Sequence, residues 1–155
     1  MKMALTMLLL SIFIVSFNTT QKNQIISLPL GLEFNESIID VEKKIKKLNL
    51  SYSFKNIKDI HFVQDIITIR DIQYKKYKGS LIVLFFNKKL YQVKFYTSKY
   101  NLLKEKIKNR YMYNGKLEVV KKNNNKVIEY YKKGNEILGI FFTDKKVEKK
   151  IFSDY

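Results

Sequence analysis

Two strand-length apolar stretches, Ser80–Phe86 and Leu90–Thr97, are separated by only Asn87-Lys88-Lys89. So short a connection makes the chain double back, and strands joined this way pair antiparallel. In the second stretch Tyr91, Val93 and Phe95 alternate with Gln92, Lys94 and Tyr96, the pattern of a strand buried on one face. A second hairpin follows: Lys126–Lys132 and Glu136–Thr143 turn at Lys133-Gly134-Asn135. After Asp144 a last strand is predicted over about Lys146–Phe152. Weaker strand candidates are Leu50–Phe54, Ile66–Tyr74 and Lys116–Lys121, with Ile25–Leu30 as an initial strand and Asn56–Asp65 as a loop.

Two stretches carry helical spacing instead. Ile38, Val41, Ile45 and Leu48 predict a helix from about Glu36 to Leu48, capped by Asn35, with Glu36 and Asp40 at its positive end. Lys43, Lys44, Lys46 and Lys47 load the other end, and Asp40–Lys44 and Glu42–Lys46 have the favourable order for pairs worth about 0.2–0.5 kcal/mol each. A second helix is predicted from about Lys99 to Tyr111, capped by Ser98, with Tyr100, Leu103, Ile107 and Tyr111 on its buried face. Helices this short are marginal alone in water, so both must pack against the sheet.

The two halves resemble each other. Tyr77-Lys78-Gly79 leads into Leu81–Phe86 and then Lys88-Lys89-Leu90. Tyr131-Lys132-Lys133-Gly134 leads into Ile137–Phe142 and then Lys145-Lys146-Val147. The fold expected is α+β: two helix-plus-antiparallel-meander units sharing one antiparallel sheet, with two helices on one face. The expected boundaries are a signal peptide over 1–20 and a single domain over 21–155, with repeat-like halves of about 33–97 and 98–155.

The signal peptide is read from Met1-Lys2 followed by Met3–Phe17, a stretch without charge in which only Thr6, Ser11 and Ser16 are polar. It is too short for a bilayer span of roughly 20 residues and suits an export leader cut near Thr20. If the leader is retained, it becomes an N-terminal membrane tether. The chain has no Cys, so acylation at a lipobox cysteine is excluded, and a bacterial periplasmic or secreted protein fits better than a disulfide-stapled animal module. A hydrophobic share of 46% with eleven Tyr and eleven Phe argues for a folded chain rather than a disordered one.

The net charge is +16, a field that draws acidic proteins, anionic membrane surfaces and nucleic acid. Arg, whose planar fork suits phosphate, occurs twice against 28 Lys. Lys, Asn, Ile, Tyr and Phe all have AT-rich codons, so base composition supplies part of the basicity.

Gly31-Leu32-Glu33-Phe34-Asn35-Glu36-Ser37 before Val41, and the hairpin Phe85-Phe86-Asn87-Lys88-Lys89-Leu90, give the chain a resemblance over residues 30–155. It resembles the β-lactamase-inhibitor-protein-like group. That group includes the small envelope subunit of the outer-membrane β-barrel assembly machine and PepSY-like domains. The resemblance implies an exported protein that acts by binding other proteins. This chain lacks the inhibitor's disulfides and the assembly subunit's lipid-bearing cysteine, and no functional residue carries over.

Few residues suggest chemistry. His61 is the only histidine, and Asp59-x-His61 with Asp65 nearby is a minimal acid/base or metal set. Gly31, Gly79, Gly115, Gly134 and Gly139 form no phosphate-cradling motif, and Glu33, Asp65, Asp71 and Glu129 show no catalytic spacing. No cofactor is expected. The candidate binding surface is two basic-aromatic clusters at matching places in the halves: Tyr74, Lys75, Lys76, Tyr77 and Lys78, and Tyr130, Tyr131, Lys132 and Lys133. The leading expectation is a non-enzymatic exported binding or accessory protein of envelope-assembly, inhibitor or immunity type, with an acidic protein as the fitting partner. The second is a surface protein binding anionic envelope polymers or lipid headgroups, with nucleic acid ranked last. The third is a hydrolase using His61.

Overall fold

A computed structural model describes residues 26–58, 63–100 and 116–153. Seven strands form one antiparallel sheet: β1 (Tyr52–Lys58), β2 (Val63–Tyr74), β3 (Tyr77–Phe86), β4 (Lys89–Thr97), β5 (Lys116–Asn123), β6 (Lys126–Lys133) and β7 (Glu136–Asp144). Their order is β1-β2-β3-β4-β7-β6-β5. The chain lays down β1–β4 as one meander and β5–β7 as another. The last strands of the two meanders join them, with Val93 opposite Phe142 and Phe95 opposite Ile140. Each edge of the sheet is therefore the first strand of a meander.

The hairpin expected between residues 80 and 97 is present. Phe86 faces Lys89, and the two residues between them, Asn87 (φ 49°) and Lys88 (φ 60°), are both left-handed. That is the backbone of a type I′ turn, whose twist matches that of the flanking strands.

Alternation along β3 shows how the sheet is covered. Leu81, Val83 and Phe85 join Val93, Phe95, Ile140 and Phe142 in the main core. Leu84, on the opposite face, packs with Tyr91 and Ile151. Helix α1 (Ile38–Lys47) covers the first face and buries Val41 and Ile45 completely. Leu28 and Leu32 flank it, around a 3-10 turn at Pro29–Gly31. Helix α2 (Lys145–Ser153) covers the second face through Ile151.

Several expectations change. The last strand, Lys146–Phe152, is helix α2. Val147 and Ile151 satisfy both a two-residue and a four-residue spacing, so periodicity alone does not decide. The N-terminal cap decides: Asp144 Oδ1 accepts from the backbone N–H of Lys146 (3.0 Å) and of Val147 (3.4 Å). Lys145-Lys146-Val147 therefore opens a helix where Lys88-Lys89-Leu90 opens a strand, and the two described α-helices lie on opposite faces of the sheet.

The stretch Ile25–Leu30 forms no strand over its described residues. Pro29 lacks a donor, and Leu30 (φ 59°) and Gly31 (φ 65°) turn the chain. Ser37, not Asn35, caps α1, its hydroxyl accepting from Asp40 N at 3.2 Å. Lys44 pairs with Glu36 (2.6 Å) and donates to the Gly31 carbonyl (2.8 Å), so it ties the helix to the preceding turn rather than pairing with Asp40. The loop expected over Asn56–Asp65 is shorter, because β1 runs to Lys58 and β2 starts at Val63. Of the helix expected over Lys99–Tyr111, residues 98–100 are helical, with Thr97 Oγ1 accepting from Tyr100 N at 3.3 Å. The remainder lies outside the described residues.

Candidate binding surface

The sheet brings both basic-aromatic clusters to one end. Tyr74 faces Tyr77 across the β2–β3 turn, Gly79 faces Thr97, Tyr96 faces Gly139, and Lys133 faces Glu136 across the β6–β7 turn. Alternation then divides their rings. Tyr74, Tyr77 and Tyr130 pack against the main core. Tyr131 lies on the other face, stacked on Phe141 at 6.0 Å and meeting the edge of Tyr100 at 6.2 Å.

These rings are largely committed to packing. Tyr74 lies 5.7 Å from Phe95 and 5.9 Å from Phe142, centroid to centroid. Burial, reinforced by the Tyr130 phenol, raises its pKa. On the second face Tyr96 stacks on Tyr100 at 4.6 Å and meets Phe141 at 5.3 Å. Burial, with Tyr100 and Tyr131 beside it, pushes Tyr96 up to about 12.

The lysines remain at the rim. Lys75 and Lys76 each lie 5.6 Å over the ring of the adjacent tyrosine, Tyr74 and Tyr77. Such exposed contacts contribute about 0.5–1 kcal/mol. Lys78 and Lys133 are exposed. Lys132 pairs with Glu118 at 2.6 Å and lies 5.8 Å over Tyr130. The clusters thus form a basic rim on a packed aromatic base, not a row of free rings.

A polar network lies between α2 and the sheet. Gln92 donates to Thr143 (2.9 Å) and Glu148 (3.4 Å), and Lys145 bridges Glu129 (3.1 Å) and Glu148 (2.9 Å). Burial opposes the Lys145 charge, but its bonds to Glu148 and Glu129 outweigh that and raise its pKa. Lys94 beside them is shifted down, chiefly by burial. The groups satisfy one another and hold α2 on the sheet.

Asp59 and His61 lie outside the described residues. Asp65 is buried in β2 and accepts a hydrogen bond from Asn56. Among the described residues no cluster of three or more His, Cys, Asp or Glu side chains is placed to hold a metal ion. Nor is any helix among them long and apolar enough to cross a membrane.

Two features escape the periodicity. Both edge strands expose apolar side chains: Phe54 on β1, and Leu117, Val119 and Val120 on β5. Beside β1, Arg70 lines an open groove of about 560 Å³ with Ser51, Ser53 and Thr68. Comparison with family models, curated proteins and solved structures finds no match.

Proposed function

We propose that this is a small exported, non-enzymatic protein that works by binding another protein, in an envelope-assembly, inhibitor or immunity-type role. The observation that carries the reading is the pair of sheet edges. Each presents apolar side chains among lysines, with Lys55 and Lys58 on β1 and Lys116, Lys121 and Lys122 on β5. Exposed strand edges with apolar side chains are templates for association. The leader-like Met3–Phe17 and the resemblance to exported binding proteins support the setting.

Crosslinking the full chain in its own cells, followed by pull-down and N-terminal sequencing, tests both parts. The expected result is one enriched protein partner and a mature start near residue 21. A cytoplasmic protein retaining Met1, or turnover lost on His61→Ala, would overturn the reading.

A second reading is supported by Lys75, Lys76 and Lys78, exposed around one hairpin of a chain with net charge +16. In it the basic rim binds anionic polymers or lipid headgroups. Its signature is vesicle or lipopolysaccharide binding that weakens steeply as salt rises; binding indifferent to salt counts against it.

A further inference from the structure

We propose that the β1 edge and the groove beside it form one docking site for an extended, acidic segment of a partner protein, added to the sheet as an extra strand. The inference rests on the binding-protein reading above and names the partner's chemistry.

The two edges differ in their fitness for this. β1 pairs with β2 residue for residue from Tyr52–Ile69 to Lys58–Val63, without a bulge. β5 carries an irregularity between Val119 and Lys121. Bulges twist an edge away from further pairing, whereas a straight edge without proline accepts another strand. Among the described residues β1 pairs on one side only, and it is exposed from Ser53 through Asn56.

The groove adds specificity. Ser53 faces Thr68 across the pair, and Lys55 follows Ser53 on the same face. Arg70 reaches the groove from β2, and among the described residues nothing bonds its guanidinium. A guanidinium fork with hydroxyls beside it is a carboxylate receptor. Phe54, half exposed, points to the opposite face, the one on which its partner Ile67 enters the core. A strand laid along β1 would therefore meet Phe54 with one set of alternating side chains and the Ser53–Lys55–Arg70 row with the other. Its fitting pattern is apolar residues alternating with Glu or Asp. Lys55, Lys58 and a chain charge of +16 disfavour a second copy of this chain as the occupant. Asp71 is the one carboxylate lining the groove.

The test uses the full chain and a short capped peptide of alternating valine and glutamate. Its comparators are the valine–glutamine and valine–lysine peptides, and the glutamate peptide N-methylated at alternate backbone nitrogens. Binding of the glutamate peptide is expected, weakened about tenfold or more by glutamine and abolished by N-methylation in one of the two registers. Arg70→Gln should weaken it about tenfold and Asp71→Asn should tighten it, with far-UV circular dichroism unchanged in both. No binding at low salt overturns the site. So does binding that survives N-methylation in both registers and Arg70→Gln, because then only the general positive field acts. Neither result touches the binding-protein reading, which the pull-down decides. A partner crosslinked only to β5 or to the hairpin end would refute this site and support that reading.

Discussion

At the scale of single residues, the tightest constraint is Gly79. A Cβ there would lie 1.9 Å from the Tyr96 carbonyl oxygen, a backbone atom that cannot step aside. Gly79→Ala is expected to lower stability by about 2–3 kcal/mol, read as a lower urea midpoint with an unchanged m-value. The sequence shows a glycine before a strand, and only the β3–β4 register shows why it is one.

Tyr91 and Tyr96 supply a pH prediction. Burial raises both to about 12. For Tyr91 the Gln64 hydrogen bond works against the shift and Glu148 adds to it. In the unfolded chain a phenol ionises near 10. The folded state therefore favours the neutral ring. The stability this contributes is complete below about pH 10 and is lost as pH rises toward about 12. Urea midpoints across that range should fall, and Tyr96→Phe should make the fall shallower; an unchanged slope would refute the shift.

At the scale of elements, the caps decide what periodicity leaves open. Val147 and Ile151 fit a strand or a helix, and Asp144 makes it a helix. Asp144→Ala should cost about 1–2 kcal/mol, measured by chemical denaturation, and Ser37→Ala at the start of α1 about 1 kcal/mol. Asp144→Asn or Ser should recover most of the loss, because either can accept from the same N–H groups. Strands β3, β4, β6 and β7 were legible, because their alternation and short turns are local signals. β1 and β5 were read weakly and with shifted ends. An edge strand exposes most of its side chains, as β1 and β5 do here, so its hydrophobic alternation fades. The candidate surface followed the same pattern. The Tyr–Lys clusters were legible as composition, but Tyr74 reaches the core face only because the irregularity between Ile69 and Ile72 shifts the alternation along β2. A single inserted residue moves every later side chain to the opposite face.

At the scale of the whole molecule, two separate layers flank one sheet. Removing the side chain of Ile151 tests the smaller one. Ile151→Ala is expected to cost about 2 kcal/mol or more and to speed proteolysis of the C-terminal helix before the rest of the chain. If α2 contributed nothing to the fold, the urea midpoint would not move. The sequence by itself determined the α+β class, the two hairpins, the first helix and the positive charge, because these rest on local spacing and composition. The tertiary structure alone decided that β4 pairs with β7, that the last helix covers the opposite face of the sheet from α1, and that Arg70 and β1 share an open edge. Those outcomes depend on long-range register and on which surfaces are left to be covered, and neither is encoded in any short window of the chain.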